Sequence, residues 1–129
     1  MINDFEKETH ELTDYELKVL LPSIIAGMKT AVGIKKAITS TTAIKLMKQF
    51  GLTIDSARFR KIINHIRIHG LINNLVATSK GYHIATSDDE MKRFVESLKQ
   101  RINSITMVHD AMEFQWKQLN KNENENSLL

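Results

Sequence analysis

Ser56-Ala57-Arg58-Phe59-Arg60-Lys61-Ile62-Ile63-Asn64-His65-Ile66-Arg67-Ile68-His69-Gly70 reads as a single basic helix with its stop. Phe59, Ile62, Ile63 and Ile66 recur at helical spacing and define one inward stripe. Asp55 or Ser56 caps the start of this helix, and Gly70 stops it. The opposite face then carries Ala57, Lys61, Asn64 and Ile68, flanked by Arg58, Arg60, His65 and Arg67. It holds no acid. Arginine can read guanine edges with two hydrogen bonds, asparagine can do the same for adenine, and lysine suits phosphate. Ala57 is small and allows close approach. Arg67 and Asn64 have a competing use, as anchors for neighbouring elements.

Upstream, Thr39 or Ser40 caps a second helix that runs to about Phe50, with Ala43, Leu46, Met47 and Phe50 inward and Gly51 as its stop. The hydroxyl run Thr39-Ser40-Thr41-Thr42 opens this helix. Such a start, with its free backbone N–H groups, is a natural phosphate contact. Further upstream, Thr13-x-x-Glu16 has capping-box spacing. The apolar positions 17, 20, 21, 24, 25 and 28 extend a first helix over about 13–31, which Pro22 kinks or restarts. Gly33 ends it. Ala37-Ile38-Thr39 is expected to form a short strand.

Downstream, Leu71–Thr78 and Gly81–Ala85 flank the turn signal Ser79-Lys80-Gly81 and predict a β-hairpin. Lys80 sits at its tip, placed to touch the backbone of a nucleic acid. Tyr82 either joins that contact or packs beneath the hairpin. Asp88-Asp89-Glu90 opens a long helix extending to about Leu119. The tail 120–129 is low in complexity and expected to be disordered, and residues 1–11 form a flexible lead-in. The order is helix, short strand, helix, turn, helix, hairpin, long helix. The fold class is therefore mainly α with a small β-hairpin: a winged helix-turn-helix over 12–86, followed by a long coiled-coil helix over 87–119.

Charge supports a polyanionic partner. The chain has 129 residues and a formal net charge of only +3. Residues 1–28 carry −4 and residues 84–129 carry −2, whereas residues 29–83 hold ten bases against the single acid Asp55, or +9. A block of one sign draws nucleic acid first. The expected DNA-contact set is Ser40, Thr41, Thr42, Ser56, Arg58, Arg60, Lys61, Asn64, His65 and Lys80. The acidic ends are expected to keep the first helix and the stalk off the phosphates.

The long helix has a 4-3 repeat. One column is Met91, Leu98, Ile105, Met112 and Leu119; the other is Val95, Ile102, His109 and Trp116. These are the core positions of a two-stranded coiled coil, with His109 as a polar defect. About 32 helical residues extend ~48 Å, past a ~75-residue domain only ~30 Å across, so a second chain is expected to cover the overhang. The flanking positions do not set the partner's orientation.

From about Leu12 to Ala85 the chain resembles winged helix-turn-helix proteins of small phage and prophage genes. The resemblance rests on Leu20-Leu21-Pro22, Ala37-Ile38-Thr39-Ser40, the run Arg58 to Arg67, Gly70-Leu71-Ile72 and Ala77-Thr78-Ser79-Lys80-Gly81-Tyr82. Phe59 stands where a smaller apolar residue is more familiar. The resemblance implies DNA binding in a bacterial or phage setting and no defined biochemical role. The reading adopted is double-stranded DNA binding in transcription, replication or packaging, and the lack of cysteine fits a cytoplasmic protein. A protein–protein adaptor on the same scaffold is the alternative, and other phage proteins are further possible partners.

Little points to catalysis. With no cysteine there is no disulfide, zinc ribbon or thiol chemistry. His65 and His69 have metal-pair spacing, with His83 a conceivable third ligand, but the glutamate of HExxH is missing. No phosphate-binding glycine loop and no nucleophile elbow occurs. No enzyme activity, cofactor, metal or membrane contact is expected.

Overall fold

The computed structural model describes residues 11–127. The chain divides into two units, one ending at Met91 and the other beginning at Lys92. The fold is mainly helical, with one two-stranded antiparallel sheet and a long C-terminal helix.

The first helical segment starts at a capping box. Thr13 N–H donates to Glu16 Oε1 at 2.8 Å, and Glu16 N–H donates to Thr13 Oγ1 at 3.2 Å. A π-helical turn, Glu16–Leu20, then runs directly into α1, Leu21–Met28. Pro22 explains the wide turn. It has no N–H for the Lys18 carbonyl, and its ring would clash with that oxygen in an α-turn. Widening the preceding turn, with Leu21 N–H donating to Glu16 O, absorbs both problems without breaking the helix.

After α1, Gly33 adopts φ 85° and a 3₁₀ turn, Ile34–Lys36, follows. These interruptions confine the expected strand at Ala37–Thr39 to a single bridge. Ile38 and Tyr82 exchange N–H···O bonds at 2.9 and 2.8 Å. Helix α2, Ser40–Gln49, is capped by Thr39, and α3, Ser56–Ile68, by Asp55. Strands β1, Leu75–Thr78, and β2, Gly81–Ile84, pair with Thr78 opposite Gly81. β1 starts four residues later than the apolar run suggests, because Leu71–Asn74 form turns and Asn74 takes φ 65°.

The core gathers Leu20, Leu21, Ile24 and Met28 from the first segment, Met47 from α2, and Phe59, Ile62, Ile63 and Ile66 from α3. Ala57 belongs with this buried set rather than on the outer face. Its neighbour Arg58 hydrogen-bonds Glu11 and Glu16, so at this turn the helix has chain packed beside it as well as beneath it.

Helix α4, Asp88–Ser127, continues through the Asn/Glu/Lys-rich segment expected to be disordered. A polar segment joined to an existing helix needs propagation only, not a new nucleus. Residues 1–10 of the expected lead-in and residues 128–129 of the tail lie outside the described residues. Among the described residues, no helix is long and apolar enough to cross a membrane.

Candidate nucleic-acid interface

The outer face of α3 is the first element of the site. Asn64 is exposed, while Arg60, Lys61 and His65 are half-buried. Ile68 is exposed at the C-terminal end, and Ser56 at the N-terminal end. The His65 ring lies against His69, with centroids 4.2 Å apart. Partial burial, then the neighbouring His69 and Lys61, hold His65 below the ordinary imidazole pKa of 6.5. It therefore offers a neutral hydrogen-bonding ring at neutral pH.

Arg58 is not part of this face. Its Nε–H donates to Glu16 Oε2 at 2.8 Å, and Nη2 donates to Glu16 Oε1 at 2.6 Å and to the Glu11 carbonyl at 2.8 Å. The side chains are 14% and 8% exposed, so this is a largely buried bidentate pair. The hydrogen bond from Arg58 holds Glu16 below its usual carboxylate pKa, against an opposing effect of burial. Arg58 thus ties α3 to the start of the first helical segment. Helical periodicity places it beside the outer face, but the chain from Glu11 to Glu16 covers that flank. The one sequence signal was the capping-box Glu16, whose second oxygen was free to take an arginine.

Arg67 also turns inward. Its Nε–H donates to the Leu75 carbonyl at 3.0 Å, and its guanidinium lies 5.5 Å from the centre of the Tyr82 ring. This is the anchoring use weighed for Arg67 above. Tyr82 packs under the hairpin, 6.0 Å from Phe59 between ring centroids.

The second element is a cleft between the start of α2 and the hairpin turn. It encloses about 240 Å³ and is lined by Thr39, Ser40, Ala77, Thr78, Ser79, Gly81 and Tyr82. Gly81 makes it possible. At φ 115°, a Cβ there would lie 2.5 Å from the Ile38 carbonyl carbon and 2.7 Å from Thr39 N. Only glycine lets β2 come this close to the chain entering α2. Thr39 caps the helix, accepting from Thr42 N–H at 3.1 Å and donating to Thr42 Oγ1 at 3.0 Å. That engages the Thr42 hydroxyl, while Ser40 is half-buried and Thr41 exposed. Lys80 is exposed in the turn, its N–H donating to Thr78 Oγ1 at 3.1 Å. Sequence reasoning named Ser40 and Lys80 but missed Thr78 and Ser79. Only the backbone approach at Gly81 brings these hydroxyls to α2.

Of the ten bases in residues 29–83, Lys29, Lys35, Lys36, Lys45, Lys48 and Lys80 are exposed. The single acid of that span, Asp55, is engaged as a helix cap, accepting from Arg58 N–H at 2.8 Å. His83 is buried and lies 3.2 Å from Glu90, linking β2 to the first turn of α4. Among the described residues there is no cluster of three or more His, Asp or Glu able to hold a metal.

A separate groove of about 460 Å³ lies between α1 and α2. It is almost wholly apolar, with Ile24, Met28, Leu46, Met47 and Phe59 in its lining and Phe50 at its edge. The proposed dimerisation residues form a further surface on α4. Val95, Leu98, Ile102, Ile105, His109, Met112, Trp116 and Leu119 are exposed, and Met91 is half-buried. Comparison of the chain with family models, curated proteins and solved structures found no match.

Proposed function

We propose that this protein is a winged-helix protein that binds double-stranded DNA without catalysis. The observation that carries this reading is the exposed positive surplus of residues 29–83. It persists after Arg58 is neutralised by Glu16, because the exposed bases are lysines and the one acid is engaged as a cap. In this reading α3 enters the major groove, with Lys61 on phosphate and Asn64 on a base edge. The hydroxyl cleft at the start of α2 and Lys80 in the wing hold the backbone. Helix α4 pairs two copies, which raises a weak single-domain contact through effective concentration. The setting is a bacterial or phage-infected cytoplasm, in transcription, replication or packaging.

Anisotropy of a labelled duplex between 50 and 200 mM salt tests this. Binding is expected to weaken steeply with salt. Lys61→Ala is expected to weaken binding to all sequences and to reduce the logarithmic salt slope by about 1. Absence of binding at the lowest salt overturns the reading. A second reading, a protein-docking adaptor, is favoured by the apolar groove between α1 and α2. Leu46→Glu at that groove distinguishes the two, since it leaves DNA affinity intact if DNA is the partner.

A further inference from the structure

Helix α4 carries two adjoining apolar columns whose side chains are exposed from Val95 to Leu119, with Met107, Val108 and Phe114 exposed outside them. Resting on the reading of α4 as a dimerisation helix, we infer that the second copy packs against it in the antiparallel sense, with Lys99 of each copy facing Glu113 of the other. Charge, side-chain size and the extent of the exposed stripe support this orientation.

The flanking residues alone leave the orientation open, because they pair poorly in the parallel sense; set in the antiparallel register of the exposed stripe, they distinguish the two. In a parallel pair, the flanking residues meet as Phe94 with Lys99, Arg101 with Thr106 and Val108 with Glu113, so no opposite charges come together. In an antiparallel pair centred near Met107, each Lys99 meets a Glu113, which makes two ion pairs per dimer. Lys92 meets the neutral Asn120, and no like charges meet.

The seam points the same way. A parallel pair sets each residue against itself, so Trp116 meets Trp116 and Val95 meets Val95, and the helices would need very unequal spacings along their length. The antiparallel register sets Leu98 against Trp116, Ile102 against Met112 and Ile105 against His109. Each layer then joins unlike residues and the two tryptophans fall in separate layers, so the spacing varies less along the seam. His109 gains most from this. Its Nδ1 lies 3.0 Å from Asp110 and its Nε2 3.7 Å from Glu113. The hydrogen bond to Asp110, then Glu113, raises its pKa. A parallel seam would bring two such imidazoles face to face, whereas here each meets an isoleucine.

The same register ends where the free stripe ends. It pairs Val95 with Leu119 and leaves out Met91. Met91 is half-buried and lines a cleft with Asn74 and Ala85 of the first unit.

The chain has no cysteine, so Lys92→Cys in the full chain gives one spin label per copy at an exposed position. Thirty residues of helix separate the two labels in the antiparallel register, a distance of about 45 Å. A parallel pair places them about 15 Å apart or less. A dipolar distance near 45 Å supports the inference, and a short one overturns the orientation while leaving the dimer intact. A monomer by sedimentation overturns the dimer reading itself. In the unlabelled chain, Glu113→Lys is expected to weaken association about tenfold, and adding Lys99→Glu to restore it. Within one copy these residues are about 21 Å apart, so rescue can arise only between copies. Failure of rescue overturns the Lys99–Glu113 register. DNA affinity of the single domain is not affected by either outcome.

Discussion

Helices α3 and α4 carry the same kind of apolar residue at the same kind of spacing, with opposite outcomes. On α3, Phe59, Ile62, Ile63 and Ile66 are each 0% exposed. On α4, Ile102 is 56% exposed, Ile105 69% and Trp116 60%. Burial of a side chain of this size is worth about 1.5–3 kcal/mol. The α3 stripe realises that stabilisation inside one chain, while the α4 stripe remains exposed. Periodicity reports which face of a helix is apolar and leaves open what covers it.

Truncating one residue from each stripe should separate the two helices most clearly. Phe59→Ala is expected to cost the folded chain about 3–5 kcal/mol, read by urea unfolding followed by circular dichroism. Ile102→Ala is expected to leave the unfolding of the first unit unchanged and to weaken self-association about tenfold or more, read by sedimentation. An Ile102 variant that unfolds as easily as the Phe59 variant would mean that α4 is already covered within its own chain.

The same distinction explains what was legible in the sequence. The helix starts at Thr39 and Asp55, the stops at Gly51 and Gly70, and the hairpin turn were readable because each depends on a few adjacent residues. Arg67 was readable in part, since its use as an anchor follows from its place near the helix end, next to the hairpin it holds through Leu75. Ala57 and Arg58 were not. The environment of Arg58 is set by Glu11–Glu16, more than forty residues away in sequence. The candidate site divides the same way. Lys61 and Asn64 followed from the helical period, whereas Thr78 and Ser79 enter the cleft only through the approach of Gly81 to Ile38. Glu16, in the acidic first segment, holds an arginine of the basic block, a pairing that helical periodicity alone does not reveal.

That ion pair gives the next largest effect. Removing either Glu16 or Arg58 leaves a buried charge without its partner, and Arg58→Ala is expected to destabilise the fold by about 3 kcal/mol. The pH dependence has a definite sign. Glu16 has a folded pKa below its ordinary value of 4.5, so its contribution is present above about pH 4.5 and is lost as pH falls through the folded value. The wild-type chain should therefore lose stability on acidification from pH 5 to pH 3, and Glu16→Gln should show a smaller loss over that window. Equal slopes for the two proteins would remove the ion pair from the account of how α3 is held.

The smallest expected effect lies on α3 itself, opposite its buried stripe. Ile68 is an isoleucine on the same helix as Ile62, Ile63 and Ile66, yet it is 79% exposed. It also sits at the C-terminal end, whereas a recognition helix contacts bases through its N-terminal residues. Ile68→Asn is therefore expected to shift unfolding by less than about 0.5 kcal/mol and to leave duplex affinity unchanged. Since Ile66→Ala, two residues away, should cost about 2–5 kcal/mol, the pair isolates burial from residue type on a single helix. A stability loss at Ile68 comparable to that at Ile66 would reveal that the outer face of α3 is covered in solution, and a covered face could not enter a DNA groove.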